Sequence, residues 1–294
     1  MGELLPLKSG YYIWHYVPSL PAAIIFLALY LVVTLAQSWR LWRTRLWFCI
    51  PFVVGGFMEV IGYVFRAICN NETNRLLPYI VQSIFILLPP ILFAASIYMV
   101  LGRIIRATGG EQYSVIRPAI LTKTFVWADV VAFCVQGGGA GLQVVSSLSS
   151  MGEWIVVAGL VIQIAMFGFF VVTAVIFQRR FQHGSPQAAT DSTAGWKSSL
   201  YMLYGVSALI MVRSIFRVVE FVTGYSGYVM ANEWTIYVFD AVPMFFVMVI
   251  FFFYWPRNLG PTPDDQACAF DAGFSATDNS FVKTSSNIEL NERH

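Results

Sequence analysis

Seven stretches of this chain are long and apolar enough to cross a lipid bilayer, and that feature constrains the fold more than any other. A bilayer core needs about 20 mostly apolar residues per helix. The stretches lie at about 18–37, 47–68, 78–101, 123–148, 153–177, 199–222 and 233–255. Composition removes the alternative of seven buried helices in a soluble core. Apolar residues make up 57% of the chain and charged residues 12%, whereas a soluble domain carries about 25% charged residues to face water. The expected fold is therefore all-α, a polytopic seven-transmembrane-helix bundle over residues 18–256.

The cations set a direction for the bundle. Arg40, Arg43 and Arg45 follow the first stretch, and Arg103, Arg106, Arg117 and Lys123 follow the third. Arg179, Arg180 and Lys197 follow the fifth, and Arg257, Lys283 and Arg293 occupy the tail. The opposite side has Lys8 and Arg75 alone. This bias predicts an N-terminus outside and a C-terminus in the cytoplasm. Residues 1–17 are too polar and aromatic for a signal peptide and are expected to form a short extracellular segment. The sequon Asn71-Glu72-Thr73 then falls outside, where Asn71 is a weak glycosylation candidate. Residues 257–294 and the 178–198 loop are rich in small polar residues and cannot bury enough surface to fold. Both are expected to be disordered and cytoplasmic.

Charges inside the spans are the second informative pattern. Ionisable groups in hydrocarbon cost about 2.5–3.5 kcal/mol each on insertion scales and normally face the bundle interior. The second helix carries Glu59, Tyr63 and Arg66, the sixth Arg213, Arg217 and Glu220, and the seventh Glu233, Tyr237 and Asp240. Each set is spaced i, i+4, i+7, which puts its members on one helical face. Counting residues from the outer helix ends matches Glu59 with Arg213, Arg66 with Glu220, and Asp240 with Arg217 or Arg213. Gln82, Gln143 and Gln163 add polar atoms at comparable depth, and Gln136 lies in the fourth span. Asp129 stands apart near the cytoplasmic edge of the fourth helix, where it meets Lys123 or snorkels. Such a cluster is either a latch between helices two, six and seven, or the lining of an outward cavity that binds a polar head group or gates access to it.

Backbone breakers point the same way. Pro89-Pro90 interrupts the third span and Pro243 the seventh, and breaks at membrane depth are tolerated only against protein or a water-lined cavity. Gly137, Gly138, Gly139 and Gly141 permit close helix contact, including a Gly-x-x-x-Gly step that could serve a homodimer through the fourth helix.

Several functions are excluded by what the spans lack. His15, His183 and His294 all lie outside them, so neither a membrane zinc hydrolase nor a b-type cytochrome has ligands. The seventh span has no lysine for a retinal Schiff base. The glycine run lacks the Lys-Ser/Thr ending of a phosphate loop, which excludes ATP-driven transport by this chain alone. Cys49, Cys69, Cys134 and Cys268 have no metal or disulfide spacing. No catalytic constellation is present, no cofactor or metal is implied, and the near-neutral net charge of +2 gives no footing for nucleic acid.

The charged segments GGFMEVIGYVFRAI, PYIVQSIFILLPPILFAASIYMVLGRII, FVWADVVAFCVQGGGAGL and RSIFRVVEFVTGYSGYVMANEWTIYVFDAVPM resemble the fungal lipid-translocating exporter family. The resemblance runs from about residue 20 to 256. It rests on the joint pattern of Glu59-Tyr63-Arg66, Gln82, Asp129-Gln136, Arg213-Arg217-Glu220 and Glu233-Asp240. At the end of the seventh helix this chain has Trp255-Pro256 where the family often shows His-Pro. The resemblance implies a fungal membrane protein, in the plasma membrane, that moves or senses amphiphiles such as sphingoid bases, with membrane lipids or amphiphilic small molecules as partners. The expected function is ATP-independent translocation. The alternative is a seven-helix receptor or sensor, which shares the topology but here lacks an Asp-Arg-Tyr end to the third helix. The ligand-binding or gating candidates are Glu59, Tyr63, Arg66, Gln82, Gln163, Arg213, Arg217, Glu220, Tyr237 and Asp240.

Overall fold

The structure, a computed structural model, describes residues 19–70, 76–143, 149–184, 195–223 and 233–256. The sequon at Asn71, residues 1–17 and the tail 257–294 lie outside the described residues. The described residues contain no strand and seven helical spans. They are α1 (Leu20–Thr44), α2 (Ile50–Cys69, entered through the 3-10 turn Trp47–Cys49), α3 (two segments, Leu76–Leu87 and Pro89–Ala107), α4 (Pro118–Gln143), α5 (Ser149–Gly184), α6 (Gly195–Thr223) and α7 (Glu233–Phe253). The chain is a multi-pass membrane protein.

The apolar residues left at the helix surfaces, such as Val32, Val131, Val172, Val222 and Phe253, meet hydrocarbon rather than water, so their exposure costs nothing in a bilayer. Below, the upper face is the one where α1 begins. Exposed Trp154 and Trp234 stand near it and exposed Trp39, Trp42 and Trp47 near the lower face, the places where aromatic rings anchor a bundle at both interfaces.

Sequential helices pack as neighbours, and α1 also packs on α7, which closes the ring. The second segment of α3 touches α2, α4 and α6 and is the most buried part of the bundle. Small residues set these contacts. A Cβ on Gly62 would lie 2.7 Å from Ile86 Cγ1, and one on Gly139 would lie 2.8 Å from the Gly152 carbonyl oxygen. The close approach of α4 to α5 therefore uses Gly139. Among the described residues nothing lies within 4 Å of a Cβ placed on Gly137, Gly138 or Gly141, so the close approach of α4 to α5 does not use the Gly-x-x-x-Gly step.

Two expectations about element ends are corrected. α1 continues to Thr44, so Arg40 and Arg43 belong to a helix and not to a loop. α5 continues to Gly184, taking Arg179, Arg180 and His183 out of the expected 178–198 loop. Its 36 residues span about 54 Å at the usual rise per residue, so α5 outruns the hydrocarbon and its last turns can stay helical in water.

Both proline breaks appear, in different forms. α3 bends at Leu88, between its segments. α7 widens into a π-helical stretch at Tyr237–Ala241, just ahead of Pro243. A proline ring collides with the carbonyl of the residue four before it, here Phe239, and a wider turn moves that carbonyl aside. Such stretches are frequent at functional sites. This one carries Asp240.

Candidate functional site

The charged faces of α6 and α7 meet around Asp240, which is 1% exposed. Its two carboxylate oxygens serve two guanidiniums: Oδ1 pairs with Arg213 Nε, and Oδ2 lies 2.5 Å from Arg217 Nη2. Arg217 also holds Glu220 at 2.9 Å, one turn along its own helix. Nη2 of Arg213 donates to the Ile86 carbonyl oxygen at 2.9 Å. That acceptor exists because Pro90, four residues later, has no N–H to give it. The break in α3 thus supplies the ligand that seats Arg213, and three helices converge on one side chain.

A second ion pair lies nearer the upper face. Arg66 on α2 reaches Glu233 at the start of α7 at 2.9 Å, and its Nε donates to the Tyr237 hydroxyl at 3.0 Å. Both carboxylate oxygens of Glu233 accept from the Ser19 backbone N–H at 2.9 Å. The starts of α1 and α7 and the end of α2 are therefore tied together.

Between the two pairs stands a stack of aromatic rings. Phe26 stacks on Tyr237 with centroids 5.1 Å apart and on Tyr63 at 5.9 Å, and Tyr63 stacks on Tyr30 at 5.2 Å. The Tyr30 hydroxyl donates to the Ala241 carbonyl oxygen at 2.7 Å, inside the π stretch. Below it Gln37 donates to the Met248 carbonyl oxygen at 2.9 Å, and Arg40 donates to that of Phe252. Tyr30, Thr34 and Gln37 follow the same i, i+4, i+7 spacing that marks α2, α6 and α7, and all are buried. The rule that found the charged faces would have found this seam had it been applied to uncharged polar residues.

Two of the depth-matched pairs are not formed. Glu220 is taken by Arg217, because an i, i+3 partner on the same helix needs no tertiary alignment, and Arg66 goes to Glu233. Glu59 is 1% exposed, its Oε1 has no hydrogen-bond partner among the described residues, and no ion pair joins it to Arg213. It lies within electrostatic reach of Arg213, Asp240 and Arg217 and does not bond to them. Asp129 is also placed differently. It is buried and accepts from the Tyr98 hydroxyl at 2.8 Å, rather than meeting Lys123 or snorkelling.

The candidates fall into two groups. Glu59, Tyr63, Arg66, Arg213, Arg217, Glu220, Tyr237 and Asp240 gather between α1, α2, α6 and α7. Gln163 instead accepts from Gln136 at 2.9 Å across α4 and α5. Gln82 is buried on the first segment of α3, with Oε1 unpartnered among the described residues. The cluster is closed in this conformation. A cavity of about 120 Å³ lies at the lower ends of α5 and α6, lined by Gln178, Gln182, Trp196, Lys197, Leu200 and Tyr201, and includes none of the candidates.

Residues 52–262 match the model of the family described as RTA1 like protein. The chain belongs to the RTA1-like family. This RTA1-like protein is 37% identical to Protein RTM1 of Saccharomyces cerevisiae over 74% of its own length and 71% of the relative's. It is 33% identical to Protoporphyrin uptake protein 1 of the same species, covering 83% of this chain and 91% of that one. It is 22% identical to a Saccharomyces cerevisiae protein named Sphingoid long-chain base transporter RSB1, over 83% of this chain and 74% of the relative. No solved structure matches it.

Proposed function

We propose that the protein translocates amphiphiles bearing a cationic head group across the fungal plasma membrane without ATP hydrolysis, and that the cluster between α2, α6 and α7 is both latch and gate. The observation that carries the reading is the pairing of Asp240 with two arginines of α6, next to a stack of four aromatic rings and an acid, Glu59, that no arginine has claimed. A sphingoid base has an ammonium head and a long chain, so it needs a carboxylate beside an apolar slot, and aromatic faces favour cations. Among the candidates, Glu59 meets that need without displacing an arginine. The relatives' names, one a sphingoid long-chain base transporter and another a protoporphyrin uptake protein, support amphiphile transport as the general role.

In this reading the arginines hold α6 against α7 while the site is empty. A head group arriving at Glu59 pairs with its carboxylate within electrostatic reach of Arg213 and Arg217, and that carboxylate competes with Asp240 for them. Helix α6 then separates from α7, which a ligand can cause only by binding the open form more tightly. Arg66, Glu233 and Tyr237 keep the α1–α2–α7 side fixed as α6 moves. Gln82, buried on the first segment of α3 with Oε1 unpartnered among the described residues, offers a further polar group to the head, whereas Gln163 is held by Gln136.

The test is reconstitution of the purified chain in liposomes with a fluorescent sphingoid base. Protein-dependent movement of the base between leaflets, with no nucleotide present, is the expected result. Binding without movement would replace the translocator by a sensor.

A further inference from the structure

The charge count around Asp240 is uneven. Among the described residues, Arg213 and Arg217 are matched by Asp240 and Glu220, and Arg66 by Glu233. Glu59 is a seventh charge with no counterpart, 1% exposed and with Oε1 unpartnered among the described residues. The groups that face it are Arg213 and Arg217 from α6, Asp240 from α7, Tyr30 from α1 and Tyr63 on its own helix. Both arginines already hold carboxylates. Among the described residues, the α3 segments that pack on α2 bring no further charge to it. A carboxylate buried without a cation is costly enough that it takes up a proton instead. Closed and empty, the cluster balances only if Glu59 is a neutral acid.

We propose that Glu59 is the site where a proton is exchanged for the cationic head group, so that translocation is coupled to counter-movement of one proton; this rests on the amphiphile reading above. The step balances in atoms and charge. The carboxylic acid O–H breaks, the proton leaves to water on the side to which the site is open, and the carboxylate left behind pairs with the ammonium. With either occupant the cluster is neutral, with neither it carries one negative charge, and with both it carries one positive charge. Each occupant therefore excludes the other, which is the requirement for exchange. Tyr63, one turn from Glu59, and Tyr30 stacked on it place aromatic rings beside the acid, surroundings that favour a cation.

The test counts protons. A quaternary alkylammonium amphiphile, tetradecyltrimethylammonium, has no proton to release, so any proton that appears on binding comes from the protein. Calorimetric titration of the full chain in a nonionic detergent at neutral pH, in two buffers of different ionisation enthalpy, gives the number released per cation bound. The expected result is about one for the parent. Glu59→Gln, which imitates the protonated acid and keeps the closed cluster neutral, should fold as the parent does, release none, and bind at least about tenfold more weakly. Asp129→Asn, which alters the other buried acid without a cation among the described residues, should leave the count unchanged. The proposal is overturned if the parent binds without releasing a proton, if it does not bind at all, or if Glu59→Gln releases as many as the parent. It is also overturned if the release is lost with Asp129→Asn and kept with Glu59→Gln. Release on binding with no movement in liposomes would retain the exchange site and reject the translocator.

Discussion

Replacing Asp240 by Asn keeps the size of the side chain and removes the charge that two guanidiniums share. Arg213, whose side chain is 5% exposed, keeps only the Ile86 carbonyl oxygen, and Arg217 keeps Glu220. Removing one partner of a buried pair costs about 3–5 kcal/mol, because the remaining charge is left uncompensated. At about 2–4 °C per kcal/mol for a domain of this size, the midpoint of thermal unfolding in detergent should fall by about 6–20 °C. Glu59 decides where in that range the value lies. In Asp240→Asn the cluster lacks one negative charge, and Glu59, within electrostatic reach of Arg213, can release its proton and replace it. The single variant should therefore sit near the lower end. Adding Glu59→Gln removes the substitute, so the double variant should lose more than the two singles together, by about 1–3 kcal/mol of coupling. Glu59→Gln alone should unfold within about 2 °C of the parent. A double variant no worse than the sum, or Glu59→Gln falling as far as Asp240→Asn, would refute the charge count on which both the gate and the exchange site depend.

Pro90→Ala gives the Ile86 carbonyl a backbone partner in place of Arg213. The cost of Arg213→Met in thermal unfolding should then shrink by about 1 kcal/mol in the Pro90→Ala background. Gly139→Ala places a Cβ 2.8 Å from the Gly152 carbonyl oxygen and 2.9 Å from the Val156 backbone nitrogen and should cost about 1–3 kcal/mol. Gly137→Ala meets nothing within 4 Å and should be neutral or gain up to about 1 kcal/mol of helix propensity. An epitope tag at the C-terminus should stain only permeabilised cells, as the cation bias requires; staining of intact cells would reverse the orientation.

The number of spans, their order and both proline breaks were legible in the sequence because each follows from local chemistry: a run of apolar residues, or a missing N–H. Which charged faces turn inward was legible too, since i, i+4, i+7 spacing puts charges on one side of a helix whatever its neighbours do. Pairing was less so. Counting residues from helix ends assumes straight helices starting at one level, but α7 contains a π stretch that alters its register at Asp240, and α3 is bent. Depth alone also matches Glu220 with Arg66, whereas Arg217 lies one turn away from Glu220 on α6. Glu233 was visible on the face of α7, yet its role in joining Arg66 to the start of α1 depends on where Ser19 sits, which no periodicity encodes. Reading Arg40 and Arg179 as loop residues ends α1 and α5 short of Thr44 and Gly184. An arginine at the membrane boundary is as well placed in a helix, with its stem along apolar surface and its head in the interface.

The central claim, that α6 must part from α7 for the head group to pass, can be tested by locking the two helices. Phe216 and Phe239 stack across that seam with centroids 5.1 Å apart and take no part in the ion pairs, so a Phe216→Cys/Phe239→Cys variant places a thiol on each side. The account predicts that liposomes containing it move a fluorescent sphingoid base when reduced, stop when the cysteines are joined by oxidation or a short bifunctional linker, and resume after a disulfide is reduced. Undiminished movement with the crosslink fully formed would contradict it.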